Sequence, residues 1–154
     1  MEVYRLSRQK YASSLSGEGA AIRGGRWNSK GVKIIYTAAN RALAMAEVAV
    51  HFTYSTLAND YMMLTIELPD DISIGVLHLN NLPLDWNSFP HVHSTQKFGD
   101  VFVKEGIHLL LKVPSVVVSG DFNYLINPMH SDFRKIKITE QLKFPFDRRL
   151  FKNA

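Results

Sequence analysis

The stretch Asn40-Arg-Ala-Leu-Ala-Met-Ala-Glu-Val-Ala-Val-His-Phe52 constrains the chain more than any other, because it reads as an apolar helix carrying one carboxylate, Glu47. Asn40 suits a helix N-cap, since its side chain can accept an otherwise unpaired backbone N–H. The alanines, Leu43 and Met45 are strong helix formers. Apolar residues around nearly the whole axis predict a helix packed on most sides. An unpaired charge in such surroundings costs several kcal/mol, so Glu47 requires a cation, a hydrogen-bond donor or a cavity. That makes it a site candidate. His51 lies one turn further along the same face and is expected to reach the same cavity as a hydrogen-bonding neighbour.

The 154 residues predict a single domain spanning 1–154, and 46% hydrophobic with 21% charged is the balance of a soluble globule. With no cysteine, disulfides, zinc thiolates and thiol nucleophiles are excluded. The N-terminus lacks a signal-peptide core, and no apolar run approaches the roughly 20 residues that span a bilayer, so a cytoplasmic protein without membrane contact is expected. The net charge of +4 is unevenly distributed. Arg134, Lys135, Lys137, Lys143, Arg148, Arg149 and Lys152 outnumber Asp132, Glu140 and Asp147 in the tail. Such a tail is either a solvated face or a contact for nucleic acid or an acidic partner.

In chain order, Glu2 to Leu6 predicts an opening strand, followed by a polar segment with a helical turn. Gly17 to Asn28 is glycine-rich and predicts a loop that can approach a ligand closely. It is not a phosphate loop: Gly25-Arg26 stands where a Walker motif needs Lys and Ser or Thr, and no strand-glycine-helix order supports a dinucleotide fingerprint. Strands are predicted at Val32–Thr37, Tyr61–Leu68, Ile72–Leu79, His108–Val113 and Ser115–Val118, with a turn at Ser119-Gly-Asp-Phe-Asn. A helix is predicted over Thr95–Glu105, ended by Gly106. Tyr124–His130 reads as a loop or short bridge, and Arg134–Ile138 with Leu142–Phe144 closes the sheet. Six or seven strands with two or three helices, out of strict alternation, predict an α+β fold with a mixed, mainly antiparallel sheet.

Arg26-Trp27-Asn28, Tyr36, Glu47 and Ser119 stand out as chemical candidates, each with a structural alternative. Arg26 can serve a surface carboxylate, Tyr36 can be a satisfied core tyrosine, and Ser119 can simply start a turn. His91-Val-His93 is a close histidine pair without a third ligand at supporting spacing, so no metal site is expected. No nucleophile elbow or paired carboxylates argue for a serine hydrolase.

The ordered blocks Gly-Gly-Arg26-Trp-Asn, Tyr36, Ala-Glu47-Val-Ala-Val-His, Val-Pro-Ser-Val-Val-Val-Ser119 and Asn123-Tyr-Leu-Ile-Asn-Pro-Met-His130 resemble the RES domain, named for Arg, Glu and Ser. The resemblance covers nearly the whole chain. It implies a fold similar to that of ADP-ribosyltransferases and a toxin of a bacterial toxin–antitoxin pair. The implied partner is an Xre-like antitoxin through which DNA is met only indirectly, and NAD is the implied substrate, with no separate cofactor. The implied catalytic set is Glu47, Arg26 and Ser119. Tyr36, Arg26, Trp27, Asn28, His51 and Asn123 are the substrate-binding set.

By this resemblance Glu47 stabilises the oxocarbenium-like ribose formed when nicotinamide leaves. Arg26 forks onto diphosphate or ribose oxygens, Tyr36 stacks on nicotinamide or fixes the ribose, and Ser119 binds substrate and orients Glu47. Three outcomes remain open at this level: NAD degradation by water or phosphate, ADP-ribose transfer to a protein, and a nucleic-acid-binding module led by the basic tail. The tail is also a candidate surface for holding the antitoxin.

Overall fold

The computed structural model describes residues 1–151. Seven strands form one sheet: β1 (Glu2–Arg8), β2 (Ile35–Ala38), β3 (Tyr61–Glu67), β4 (Ile74–Val76), β5 (Leu110–Pro114), β6 (Phe122–Ile126) and β7 (Lys137–Lys143). Their order across the sheet is β4-β5-β6-β2-β1-β3-β7. Only β4 and β5 run parallel among these pairs. Helices α1 (Glu18–Arg23), α2 (Arg41–Ala49) and α3 (His93–Glu105) complete the fold. This is the expected α+β architecture with a mixed, mainly antiparallel sheet. Among the described residues, no helix is long and apolar enough to cross a membrane.

Register divides the sheet into two faces, because residues paired across strands point the same way. Tyr36 pairs with Leu125, and Ala38 pairs with both Tyr4 and Asn123, which in turn faces Val113. These residues share the face that α2 and α3 cover. The opposite face carries Val3, Ile35, Leu64, Ile66, Leu110 and Ile126 in one apolar cluster with Ala12 and Leu68. Leu43 and Ala44 of α2 pack on Leu6, Ala38 and Met63, whereas Phe102 of α3 joins Trp27, Ile34, Leu111 and Leu125.

Four local expectations are revised. Gly17–Asn28 is not all loop, since its Glu-Gly-Ala-Ala-Ile-Arg core winds into α1 before Gly24 stops it at φ 71°. Ser115–Val118 is a bend rather than a strand, because the Ser115 hydroxyl accepts from the Val117 and Val118 N–H groups and curls the chain. Phe122–Ile126, read largely as loop, is an interior strand. Arg134 belongs to a 3-10 turn at Ser131–Lys135, and a single strand, β7, follows it.

The predicted α2 is present and Asn40 caps it, its Oδ1 accepting from Leu43 N at 2.8 Å. It is not packed on most sides. Leu43 and Ala44 are buried, Met45 through Ala49 are half-buried, and Arg41, Ala42 and Val50 are exposed. Alanine tolerates either setting, so the all-round apolar pattern overstated burial. The helix lies across β2, β1 and β3 with its outer side open.

α3 presses directly on the loop after α1. A Cβ at Gly99 would lie 1.7 Å from the Trp27 carbonyl oxygen, and both are backbone positions with no flexible side chain to yield. Gly99→Ala is therefore expected to separate α3 from this loop at a cost of about 2 kcal/mol or more, within the overpacking range. Urea unfolding should show a lowered midpoint; a wild-type midpoint would remove Gly99 as the contact that sets the helix position.

Candidate functional site

Glu47 is held by two donors on one oxygen. The Ser115 hydroxyl donates to Glu47 Oε1 at 2.8 Å, and the Asn123 side-chain amide donates to the same atom at 2.5 Å. Because two backbone N–H groups already point at the Ser115 oxygen, its single proton is committed to the carboxylate. Asn123 Oδ1 is buried without a hydrogen-bond partner. A carboxylate accepts only, so the Asn123 NH2 must face it and Oδ1 must point away. Among the described residues, Glu47 Oε2 has no partner.

Arg26 is presented by a tight turn in which Gly25 N–H donates to the Asn28 carbonyl at 2.9 Å. Its guanidinium donates through Nη1 to the Trp86 carbonyl at 2.6 Å and through Nη2 to the Ser88 carbonyl at 3.0 Å. Half-burial pushes the guanidinium below its ordinary pKa, while the negative charge of Glu47 and then Tyr36 act in the opposite direction. Arginine stays charged in either case. No salt bridge joins Arg26 to Glu47 among the described residues, so the opposite charges sense one another without closing the space between them.

Tyr36 serves the turn. Its hydroxyl donates to Asn28 Oδ1 at 2.6 Å and accepts from Trp27 N–H at 3.1 Å. Burial raises its phenol pKa above the ordinary value. A Cβ on Gly25 would come within 2.7 Å of this hydroxyl, which is why glycine stands there. Asn28, fully buried, also donates to the Ala20 and Val32 carbonyls at 2.9 and 3.0 Å.

From α3, Gln96 Nε2 donates to the Gly25 and Asn28 carbonyls at 3.0 and 3.1 Å. Asp100 accepts from Ser29 N–H at 2.8 Å and from its hydroxyl at 2.6 Å. The sequence reading missed Gln96, Gly99 and Asp100. A usable signal was present: a glycine inside an otherwise ordinary helix, with polar residues at i−3 and i+1, marks a face on which another backbone lies.

The ordered match of the whole chain decides the family: residues 2–147 fit the RES domain. The chain belongs to the RES domain family. It is 40% identical over 145 residues to the Prs ADP-ribosylating toxin of Sphingobium sp. (strain YBL2), covering 93% of this chain and 90% of that protein. It is 38% identical over 154 residues to Toxin Res of Photorhabdus laumondii subsp. laumondii, covering 99% and 98%. The crystal structure of the M. tuberculosis MbcT–MbcA toxin–antitoxin complex has a chain of the same fold, with TM-score 0.75 and 20% identity over 94% of this chain and 84% of that one.

Within this RES domain, Glu47 from α2 meets Asn123 on the sheet face that the helix covers, and Arg26 from the adjoining loop senses the charges of Glu47 and Tyr36. Five expected roles change. Ser119 sits exposed in the following turn, and Ser115 takes the place beside Glu47, because the chain bends immediately after Pro114. His51 is exposed beyond the end of α2 and makes no hydrogen bond to Glu47 among the described residues. Trp27 is 3% exposed and stacks on Trp86 with centroids 6.4 Å apart, so it is core. Asn28 spends its amide inside the turn, and Asn123 holds Glu47 instead of presenting a free amide to a ligand. Among the described residues no three His, Cys, Asp or Glu side chains gather to hold a metal, and His93 Nδ1 is engaged with Gln96.

A scaffold role for Asn28 has a measurable consequence. Asn28→Ala removes the acceptor of the Tyr36 hydroxyl proton and the donor to the half-buried Val32 carbonyl, at about 1–3 kcal/mol for each group left unpaired. The variant should unfold at markedly lower urea than wild type, and unchanged stability would return Asn28 to the list of substrate ligands.

Proposed function

We propose that this RES protein is the toxin of a toxin–antitoxin pair and that it breaks the bond joining nicotinamide to ribose in NAD. The observation that carries the reading is the asymmetric hold on Glu47: two donors fix Oε1, leaving Oε2 to face a developing positive charge. Relatives named as toxins, one of them as ADP-ribosylating, support the same class.

The residues suit the chemistry. As the glycosidic bond lengthens, its electron pair moves to the nicotinamide nitrogen and positive charge collects on the ribose, whose anomeric carbon then bonds to the oxygen of water, which gives its proton to solvent, or of phosphate. A carboxylate already oriented by Ser115 and Asn123 opposes that charge without reorganising. Two of Arg26's five donors are used on the Trp86 and Ser88 carbonyls, which leaves the rest of the fork for diphosphate or ribose oxygens. The Tyr36 hydroxyl is committed to the turn, so Tyr36 contributes its ring and its support of Arg26. NAD is the substrate, and the chemistry uses no further cofactor.

Incubating the purified protein with NAD should release nicotinamide. Glu47→Gln should lower the rate roughly 100-fold or more, the scale of losing a transition-state electrostatic partner. Arg26→Ala should raise KM as well as lower the rate. Ser115→Ala and Asn123→Ala each remove a hydrogen bond to a charge, worth about 1.5–3 kcal/mol, and should lower kcat roughly 10- to 100-fold with little change in KM. Full turnover in Glu47→Gln would sink the assignment.

A second reading, transfer of ADP-ribose to a protein, uses the same pocket and is favoured by the likeness to the Sphingobium toxin, which is named as ADP-ribosylating. Labelled NAD in a cell lysate separates the two, since stable labelled protein appears only with transfer. The setting we propose is the cytoplasm, with an antitoxin of Xre-like type as partner and DNA reached only through it.

The tail's charges are partly engaged: Lys135 pairs with Asp132, Arg149 pairs with Asp147, and Arg148 lies over the Tyr54 ring. Lys152 lies outside the described residues. Among the described residues Arg134, Lys137 and Lys143 form no ion pair, and Lys137 and Lys143, at the ends of the exposed edge strand β7, are the two we assign to an acidic antitoxin segment. Reversing both charges should weaken neutralisation in co-expression, whereas unaltered neutralisation would place the antitoxin elsewhere.

A further inference from the structure

We propose that the open edge of the sheet at β4 is where this protein pairs with a second copy of itself, about a two-fold axis that passes beside Gly75. β4 is an outermost strand, hydrogen-bonded to β5 alone. The Leu110 N–H donates to the Ser73 carbonyl at 3.4 Å and the Leu77 N–H donates to the Lys112 carbonyl at 2.9 Å, so the backbones of Ser73 and Leu77 turn inward. Backbone groups alternate along a strand, and those of Ile74 and Val76 therefore point away from β5. An edge of this kind is a template for another strand.

The side chains around the edge are apolar. Ile74 and Val76 are 37% and 46% exposed, on the side of the sheet that carries Leu110. On the α3 side, Val101 and Ile107 are 49% and 63% exposed and border a hollow of about 160 Å3 whose walls include Leu77, Phe98, Phe102 and Leu111. Unpaired backbone and exposed apolar surface thus coincide at one margin of the molecule.

Register selects the occupant. When two β4 strands pair antiparallel about Gly75, Ile74 of each faces Val76 of the other. These are the residues whose backbone groups are directed outward, so the register that exchanges hydrogen bonds also joins the exposed apolar side chains. The pairing is self-complementary, as a two-fold interface requires. Gly75 meets its own copy at the axis, and a Cβ there would lie 2.9 Å from His108 Cδ2, which leaves no room for a larger residue. The axis also brings Val101 and Ile107 of both copies to the same side of the joined sheet. Because β4 has only three residues, it exchanges few backbone hydrogen bonds, and the flanking apolar residues carry most of the contact.

Charge agrees with a second copy. The same register sets the acidic end of one strand, at Asp71, alongside His78 of the other. Asp70 is already held by the N-terminal ammonium at 2.9 Å. Lys104 and Glu105 stand side by side at the end of α3, so the surface is balanced in sign. A strongly acidic or basic partner finds no complement here, whereas an identical surface does.

Light scattering of the purified protein between about 1 and 100 μM should show the mass doubling as concentration rises. Val76→Lys puts an ammonium on the edge and should weaken association roughly tenfold or more, with the monomer still folded because the position is exposed. The chain has no cysteine, so disulfide trapping reads the register directly. An equimolar mixture of Ile74→Cys and Val76→Cys should cross-link under mild oxidation faster than either variant alone. A wild type that stays monomeric across this range would overturn the proposal, as would an undiminished Val76→Lys dimer or equal cross-linking in the single variants. A monomeric wild type whose neutralisation by the antitoxin is lost in Val76→Lys would also overturn it, and would give this edge to the antitoxin.

Discussion

The hydrogen bond from the Tyr36 hydroxyl to Asn28 Oδ1, 2.6 Å long, is the interaction on which the arginine half of the site depends. It joins β2, the central strand of the sheet, to the turn that presents Arg26. Asn28 extends the link to the Ala20 and Val32 carbonyls, so one buried amide ties together α1, the turn and the approach to β2. A glycine-rich segment has high conformational entropy when free. Here its polar groups are matched to fixed partners, and Gln96 and Asp100 close the remaining side from α3. The loop is thereby converted into a rigid mount for a charged side chain.

The carboxylate half is built on different principles. Glu47 needs little from its own helix beyond the Asn40 cap and the Leu43–Ala44 anchor on the sheet. Its orientation comes from β6 and from the bend after β5, two neighbouring strands far away in sequence. Because Asn123 pairs with both Ala38 and Val113, its amide is fixed by ladders on both sides. The cost is one buried carbonyl oxygen without a donor, a penalty of about 1–3 kcal/mol that a fold tolerates where an oriented group is required.

How much of this was legible in the sequence follows from the range of each interaction. The Asn40 cap is local, the helix over His93–Glu105 is periodic, and Gly106 ends it; such features read directly from neighbouring residues. Glu47 was legible because a carboxylate among alanines is conspicuous, although alanine's indifference to burial made the helix look more enclosed than it is. The serine was displaced by four residues because Ser115 and Ser119 differ only in what the backbone does between them. Two N–H groups folding onto the Ser115 oxygen are invisible to strand propensity, which favours the valines that follow. Asn123 was assigned to the substrate because nothing in its own neighbourhood reveals that it faces a helix 76 residues away. Trp27 and Asn28 sit beside Arg26 in sequence, and adjacency suggested a common role. In a tight turn, successive side chains diverge: the arginine points to the site, the indole joins the core, and the amide locks the turn.

The separation of Arg26 from Glu47 follows from these two mounts. Had the charges been free to meet, a partly buried salt bridge would have satisfied both and filled the space between them. Instead the guanidinium is drawn to the Trp86 and Ser88 carbonyls, and the carboxylate is drawn to Ser115 and Asn123. Neutral partners hold each ion in place without cancelling its charge. The field between them survives, with positive and negative ends at fixed positions. That suits a substrate whose diphosphate is anionic and whose ribose becomes cationic during cleavage. On this view the neutral partners matter as much as the two charges, because they keep the pair apart until a ligand separates it further.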